Sequence, residues 1–545
     1  MKKGTKITLI VLGVIFAIGI AAFVCADVLV SRLVNKEVNK ALVNLPGCEA
    51  SVGTIHLRFF SATAAVNDLH FAYHGEPLRA KDTIGPGVEI HVDRIDVGRV
   101  FYSLLFQRRV LISDVRIKRP QVELWMDENH PELCFPQIHD EGLEKANNVL
   151  TDARLMLFAV KNASFKLHSL SSKLDVAVDS CSVKVHDLQY DSVFTYNDSV
   201  YEFSLASAAI MFPDGRMRME THNLSHEDQG AIEIGATRIA NTMPRKKLGE
   251  LVKEPVTWMD MQIESVKIAP LNPIRKALAQ DLSLDKIEAT VKQMDIFRDE
   301  RFAPKEPFQM PQEIMMAIPA TFLVKHVDAR INKIDIEFAS TDINCGEIHL
   351  GDIQAEVDNI TNKRGATLTA RGGCPIQSGK AKAGFTMTMN KAADFSLKLH
   401  AEKINADFLN PFIRPLVGIS FELALDTLDT QYAGNSEKAK GTFRMLYHGL
   451  EVQVHKEDNI PYKIVTKNAN TFTTLANTLL PKSNPTAVDV HPRAYEVEWK
   501  RDVWKPFPLY MFGPCINGAV ETLLPGLYVH KEVKNKKSTT KSKKK

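Results

Sequence analysis

The sequence lacks the residue patterns that catalysis, redox chemistry and metal binding require. Its 7 cysteines are spread over 545 residues, and no two of them stand close enough for a zinc knuckle or a redox pair. It contains no nucleophile elbow, no phosphate-binding glycine loop and no metal-ligand motif. These absences argue against an enzyme and predict that the protein uses no cofactor.

Net charge is also scarce. Lysine and arginine together number 68 and aspartate and glutamate 65, so the formal net charge is only +3. A body so close to balance predicts that nucleic acid is not a partner. Residues 531–545 are the exception, because lysine dominates that segment and only one glutamate interrupts it. This composition predicts a disordered tail.

One long stretch lacks charge altogether. Residues 7–26 contain no charged residue, and they are long enough to cross a bilayer as a helix. Lysines within residues 1–6 place that end in the cytoplasm by the positive-inside rule. A signal peptide cleaved after Ala26 is the competing interpretation. The length of the run and the amphipathic helix expected over residues 27–45 favour a retained anchor.

Alternation of apolar and polar residues is what the sequence has in quantity, and its period is that of a half-buried strand. The stretch from Val88 to Val97 reads V-E-I-H-V-D-R-I-D-V. Its apolar residues alternate with polar ones up to Val92, two polar residues follow in succession at Asp93-Arg94, and the alternation resumes at Ile95. The same irregularity returns at Asp68, Ser113-Asp114, Asp187, Asp352 and Gly449.

A slip of one residue normally turns every following side chain to the opposite face. A β-bulge absorbs the extra residue and keeps both apolar halves on one side, and Asp or Gly tolerates the backbone that this requires. We therefore favour bent strands over the alternative, which is pairs of short strands joined by turns. In either case the chain is predicted to be mainly β.

Many strands with one apolar face must bury that face, and composition leaves three ways open. They are two sheets packed together, a closed barrel, and one long curved sheet with an open apolar trough. Side chains fill the interior in the first two. In the third, acyl chains are the expected filler.

Composition shifts predict the domain organisation. A polar linker over residues 244–253 divides the strand-rich part into 46–243 and 254–502. The segment 503–530 is apolar but broken by prolines and a glutamate, which favours an interfacial or sheet-capping role over a second membrane span.

A few short helices are expected between the strands. Asn410-Pro411 predicts a helix start, with asparagine as the cap and proline in the first turn, and residues 271–275 repeat that motif. An amphipathic helix is predicted over 471–480. A helical turn is expected at Val100–Phe106.

The segment from Ser51 to Trp125 resembles the N-terminal module of AsmA-like envelope proteins. The motifs that carry the resemblance are S-V-G-T-I-H-L, V-N-D-L-H-F, V-D-R-I-D-V and V-R-I-K-R-P-Q-V-E-L-W. Two later segments, K-I-N-A-D-F-L-N-P-F-I-R-P and M-L-Y-H-G-L-E-V, are similar to others in that family. Between roughly residues 140 and 390 the chain shares with that family only the general alternation of apolar and polar residues.

This resemblance implies an elongated, curved antiparallel β-sheet groove behind an N-terminal transmembrane helix, similar to bridge-like lipid transfer proteins. It implies a single-pass bacterial inner-membrane protein with a cytoplasmic N-terminus and a periplasmic bulk. Membrane lipids, through their phospholipid acyl chains, are then the expected partners, and envelope biogenesis at the outer membrane is the expected role. The alternatives are a non-enzymatic assembly factor for outer-membrane proteins, with other envelope proteins as partners, and a structural envelope tether.

The predicted groove lining consists of apolar residues that share the dry face of the strands. They are Ile55, Leu57, Ile90, Val92, Ile95, Val97, Val110, Ile112, Val115, Ile117, Val183, Val185, Leu350 and Ile353. The wet face is expected to carry Glu89, His91, Asp96, Arg116 and Lys118. Aromatic side chains favour the membrane interface, and the candidates for that position are Trp504, Phe507, Tyr510 and Phe512.

Overall fold

Strands dominate the part of the chain that the structure describes, with 62% of those residues in strands against 18% in helices, so the prediction of a mainly β chain is confirmed. In this computed structural model the described residues are 28, 30–40, 42, 47–58, 61–77, 84–103, 109–127, 130–134, 152–172, 174–190, 194–196, 201–226, 230–269, 282–318, 320–340, 345–455, 468–486 and 493–523.

The chain forms two compact units. Unit 1 comprises Met1–Lys247 and Trp258–Met294, and unit 2 comprises Leu248–Thr257 and Asp295–Lys545. The predicted transmembrane segment 7–26 and the lysine-rich tail 531–545 lie outside the described residues. Within the described part of the chain, no helix has both the length and the apolarity needed to cross a membrane.

Unit 1 is built from a series of strands whose bounds follow. They are β1 (Cys48–Arg58), β2 (Thr63–His74), β3 (Gly87–Val97), β4 (Val100–Ser103), β5 (Arg109–Ile112), β6 (Val115–Met126), β7 (Asp152–Ser169), β8 (Asp175–Tyr190), β9 (Phe194–Tyr196), β10 (Tyr201–Met211), β11 (Met217–His226), β12 (Ile232–Ile234) and β13 (Thr237–Asn241). Strands β14 (Val256–Ile268) and β15 (Leu282–Asp299) contribute residues to both units.

Pairing in unit 1 runs β1–β2–β3–β6–β7–β8–β10–β11, and β11 then pairs with β12 and β13. The expected sheet was antiparallel throughout, but β7 runs parallel to both β5 and β6. A parallel neighbour needs a connection of a dozen or more residues, and segment 127–151 provides that length. The expected helical turn at Val100–Phe106 is wrong for its first half, because β4 pairs with β5 as a hairpin.

Two predicted slips of unit 1, at Asp68 and Asp93-Arg94, lie in one row that continues across β6 and β7. Consecutive residues of neighbouring strands border the same polar cavity there, namely Asn67 and Asp68, Asp93 and Arg94, Lys118 and Arg119, and Lys161 and Asn162. Two consecutive residues on one face leave the apolar residues before and after them together on the other face. The slip at Asp93-Arg94 lies within β3, whereas the slip predicted at Ser113-Asp114 separates β5 from β6.

The irregularity differs from the expected bulge, in which one strand holds an extra residue. Register is constant on both sides of the slip between β2 and β3, because Leu69 opposes Val92 and Asn67 opposes Arg94. The strands therefore carry the irregularity together. Asp68 adopts a left-handed backbone with φ 53°, and β6 and β7 have left-handed residues in the same row.

The edge of β1 is covered by a helix over residues 30–40. The Asn39 side chain accepts a hydrogen bond from the Val52 amide at 2.8 Å and donates one to the Val52 carbonyl at 2.9 Å. The Leu57 amide donates to Ser31 Oγ at 2.9 Å. These bonds satisfy backbone groups that an exposed edge strand offers for aggregation.

Unit 2 contains the remaining described strands and most of the described helices. Its strands are β16 (Phe322–Ala339), β17 (Cys345–Thr361), β18 (Thr367–Ile376), β19 (Gly379–Thr388), β20 (Phe395–Asn405), β21 (Ile419–Gly434), β22 (Lys438–Val454) and β23 (Ala494–Lys500), each paired antiparallel with the next. The helices are α1 (Arg245–Val252), which begins in unit 1, α2 (Pro311–Met316), α3 (Asn410–Val417), α4 (Ala469–Leu479) and α5 (Phe507–Leu523).

Helix α5 packs against β22 and β23 of the unit 2 sheet. Tyr510 is 2% exposed and packs edge-on against Phe395, with ring centroids 5.5 Å apart. Tyr432 donates its hydroxyl to the Met511 carbonyl. A Cβ at Gly518 would collide with Phe443, so the helix docks closely because that position has no side chain.

The predicted helix starts at Asn410-Pro411, but asparagine does not cap it. The Asn410 side chain instead exchanges two hydrogen bonds with the backbone of Phe421 in β21. Residues 271–275, which repeat the Asn-Pro motif in the sequence, lie outside the described ranges. The linker predicted over 244–253 contains α1.

Candidate functional site: the apolar face of unit 1

Apolar residues of unit 1 align in rows that cross the strands in register. One row runs Ala50, Phe71, Ile90, Val122, Phe165, Val178 and Ala208. A second runs Ile55, Val66, Ile95, Ile117, Val160, Val183 and Phe203. Directly opposed residues share a face of the sheet, so each row forms an apolar band.

The two bands lie on the same face, although the slip row separates them along each strand. In β1, Val52 and Ile55 are both buried whereas Gly53 and Thr54 between them are exposed. In β3, Asp93 and Arg94 border the polar cavity of the opposite face. The face that carries Ile90 therefore also carries Ile95.

Most side chains of this face are only partly buried. Phe71, Ile117, Phe158 and Phe165 all retain solvent contact. The three hydrophobic clusters that the described residues form all lie in unit 2, where Phe443 is 1% exposed and Tyr447 1%. Contiguous, partly exposed apolar surface on this scale is characteristic of a binding surface.

The opposite face of these strands is a solvated, charged surface. Arg94 and Lys118 both pair with Asp96, at 2.6 and 2.9 Å, and Arg119 pairs with Asp93 at 2.5 Å. Partial burial raises the pKa of Asp96, but the hydrogen bonds from Lys118 and Arg94 outweigh it and the net shift is downward. Exposed pairs of this kind contribute roughly 0–1 kcal/mol each.

The predicted groove residues of unit 1 fall into three groups. Ile55, Val92 and Val185 are buried, at 8%, 5% and 8% exposure. Those that are partly buried in unit 1 are Leu57, Ile90, Ile95, Val97, Ile112, Val115, Ile117 and Val183. The side chain of Val110 lies outside the described set.

Two predicted groove residues do not belong to this face. Leu350 and Ile353 lie in β17 of unit 2, opposite Ile334 and Ile331. The prediction missed several large residues of the two bands in β6 and β7, among them Val122 and Phe165. The alternation of apolar and polar residues along β6 and β7 would have predicted them.

The four aromatic residues predicted at a membrane interface divide evenly. Tyr510 is buried in a unit 2 cluster with Phe395, and Phe507 is partly buried against the same cluster. Trp504 and Phe512 are 47% and 44% exposed. Their contact with a membrane stays a prediction.

Further apolar side chains accompany Phe512 on the exposed side of α5. Leu509 and Ile516 are 38% and 49% exposed, and the spacing of these three residues places them on one helix face. The helical spacing of these three residues is visible in the sequence, but the prolines of the segment argued against a helix there.

No group of metal-ligating side chains occurs among the residues that the structure describes, and no disulfide joins the cysteines in those ranges, which include Cys345 and Cys374. No family model and no curated protein matches the chain.

Proposed function

We propose that this protein binds phospholipid acyl chains along the apolar face of unit 1. It binds or conducts the lipid for envelope biogenesis and catalyses no reaction on it. In this proposal residues 7–26 anchor the chain in the bacterial inner membrane and the bulk is periplasmic. The resemblance to AsmA-like proteins supplies the compartment and the membrane destination. Other envelope proteins are further partners, and nucleic acid is not one.

The observation that supports the proposal is the contrast in burial between the two units. Apolar rows in unit 1 are aligned over many strands yet only partly buried, whereas strands β18 to β23 of unit 2 form buried clusters, two of which α5 packs against. Leaving large apolar side chains in water costs roughly 25 cal/mol per Å² of apolar surface. A bound hydrocarbon chain would remove that cost.

The dimensions of the face suit an acyl chain. The rows cross β1, β2, β3, β6, β7, β8 and β10, and strands stand ~4.8 Å apart, so each row extends roughly 30 Å. One leaflet of a bilayer has a hydrocarbon depth of about 15 Å. An extended acyl chain therefore fits within one row.

The test places one carboxylate on each face of the same strand. Ile117→Asp puts a charge in the apolar band, and Gln121→Asp puts the same charge on the exposed polar face of β6. We expect Ile117→Asp to lose co-purified phospholipid while its melting temperature changes little, because the carboxylate on an open face can reach water. Native mass spectrometry of the detergent-extracted full-length protein measures the lipid.

Gln121→Asp is expected to keep both lipid and melting temperature. A collapse of the fold on Ile117→Asp alone would show that the interior is packed, since a buried unpaired charge is strongly destabilising. That result would favour the structural tether. Full-length wild-type protein that carries no lipid would also contradict the proposal.

A further inference from the structure

The face of unit 2 that lies opposite its core has a cavity of about 740 Å³ that crosses β18 to β22. Alternation in β20 assigns the two faces, because Leu397 and Ala401 are buried in the core whereas Lys398 is exposed on the other side. Four permanent cations border the cavity, against a single carboxylate. The cations are Arg371, Lys382, Lys398 and Arg444, and the carboxylate is Asp429.

The carboxylate is already neutralised by its neighbours. Arg444 Nη2 lies 2.8 Å from Asp429 Oδ2, and His400 Nδ1 lies 2.7 Å from Asp429 Oδ1. Hydrogen bonds from Arg444 and His400 hold the pKa of Asp429 below its usual value. Asp429 is therefore charged at neutral pH, and its charge is engaged by these two partners.

Two of the cations have no such compensation. Lys382 and Lys398 make no ion pair or hydrogen bond with the side chains in the described ranges. Arg371 is 3.7 Å from Asp358 and its side chain is 66% exposed, so that contact is a loose one. Arg371 also has Glu356 opposite it in the register of β17 and β18, so the unpaired positive charge of the cavity is that of Lys382 and Lys398.

A glycine forms a depression among these cations. Gly384 stands directly between Arg371 and Lys398 in the register of β18, β19 and β20, and Lys382 is two residues away on the same face. A Cβ at Gly384 would meet no atom within 4 Å. The flanking strands are ~4.8 Å away on each side, which leaves room for one tetrahedral anion.

We propose that Arg371, Lys382, Gly384 and Lys398, named here the Gly384 site, bind a phosphate group. Arginine offers a fork of N–H donors that matches phosphate oxygens, and lysine supplies compact point charges. The phosphate of an anionic lipid headgroup and a free phosphate share this chemistry. The site lies on the polar face of unit 2, so it does not depend on the acyl-chain proposal for unit 1.

The polar cavity of unit 1 is a weaker candidate for the same ligand. Its Arg94, Lys118 and Arg119 are all engaged by Asp93 or Asp96. Its Asp68 adds a further negative charge, and Lys161 is its remaining cation. The Gly384 site is distinguished by two lysines that have no ion pair among the described residues and by a single lining carboxylate.

The experiment measures binding to the full-length protein in detergent at low ionic strength. One arm titrates inorganic phosphate by calorimetry, and the other titrates mixed micelles that contain phosphatidic acid against micelles of detergent alone. Wild-type protein is expected to bind at least one probe, and binding should weaken as salt rises. Binding of micelles alone would assign the site to lipid headgroups, and binding of both would assign it to the phosphate group itself.

Two kinds of variant test the site independently. The double variant Lys382→Gln/Lys398→Gln removes the unpaired charges and should weaken binding roughly tenfold or more, because each lost contact is charge-assisted. Gly384→Val keeps every charge and fills the depression with a residue that suits a strand, and it should abolish binding. Thermal melts confirm that both variants fold.

Lys440→Gln is the matched control. Lys440 lies on the same face and is paired with Glu498 at 2.7 Å, so its loss removes one positive charge outside the site, half of what the double variant removes, and should leave binding unchanged. Failure of wild-type protein to bind either probe would overturn the proposal. Equal weakening by Lys440→Gln, or full binding by Gly384→Val, would overturn it as well, since binding would then follow net charge and not this geometry.

Discussion

At the scale of single residues, the most informative positions are those where the strand backbone turns left-handed. Asp68, Asp187, Asp352 and Gly449 have φ of 53°, 53°, 49° and 69°. These are slip positions that the sequence pattern predicted, and three of the four carry aspartate. Aspartate tolerates this region better than most residues, and glycine adopts it without penalty.

Gly449 and Asp352 provide a reciprocal stability test. Gly449→Ala should lower the free energy of unfolding by about 1–2 kcal/mol, because a Cβ there meets no atom within 4 Å and only backbone strain is added. Asp352→Gly should raise the same free energy by about 1 kcal/mol. Urea denaturation measures both. Equal stability of both variants and wild type would mean that these positions are unstrained.

Histidines of the unit 2 polar face predict a dependence of stability on pH. The hydrogen bond to Asp429 raises the pKa of His400, and Glu402 is a further acceptor. Lys382 pairs with His400 in the register of β19 and β20, and its positive charge acts against this rise. His326 has its pKa raised in the same way by Asp358 and Asp328.

A group whose pKa is higher in the folded state stabilises the fold while it is protonated. That contribution is complete below the unfolded histidine pKa of about 6.5, and it is lost as pH rises through the folded value. The melting temperature should therefore fall over this interval, and the double variant His326→Gln/His400→Gln should show a smaller fall. An identical pH profile in the variant would contradict this assignment.

At the scale of elements, two helices protect sheet edges by the same contacts. Asn477 of α4 accepts from the Val452 amide and donates to the Val452 carbonyl, each at 2.8 Å. Asn39 makes the same pair of bonds to Val52 in unit 1. In each helix the side toward the strand is polar, and apolar residues such as Leu479, 69% exposed, face away.

Asn477→Ala tests this protection of the edge. The substitution leaves an amide and a carbonyl of β22 without their partners, so we expect a loss of about 1–3 kcal/mol in the free energy of unfolding. Asn470→Ala, at an exposed position of the same helix, should cost less than about 0.5 kcal/mol. Equal costs would assign the effect to helix propensity and not to the edge bonds. Chemical denaturation with each variant measures both.

At the scale of the whole molecule, the two units differ in what covers their apolar faces. Unit 2 has buried clusters around Phe443 and Tyr510, whereas the described residues of unit 1 leave their apolar bands partly exposed. Local stability should follow that difference, because burial of apolar surface is the main favourable term of folding.

Hydrogen exchange on the full-length protein tests this difference. After lipid removal, amides of β6 to β8 should exchange faster than amides of β20 to β22. Restoring phospholipid should slow exchange in β6 to β8 by mass action and leave β20 to β22 unchanged. Uniform protection in both units before and after lipid addition would contradict the proposed binding face.

Local features were determined by the sequence alone. The alternation around Ile90 and Ile95 gave the strand, the slip and the shared apolar face, because a period of two residues is a property of neighbouring positions. Pro411 marked the start of α3 for a similarly local reason. The mainly β class followed from many repeats of such patterns.

Only the tertiary structure decided which apolar residues are covered. Phe507 and Phe512 have the same chemistry, yet one packs against Phe395 and the other is exposed, since the partner strand is distant in sequence. The parallel pairing of β6 with β7, and the cations left unpaired around Gly384, likewise depend on which strands become neighbours. Alternation along one strand carries no information about the strand beside it, so cover, pairing direction and excess charge arise only when the chain folds.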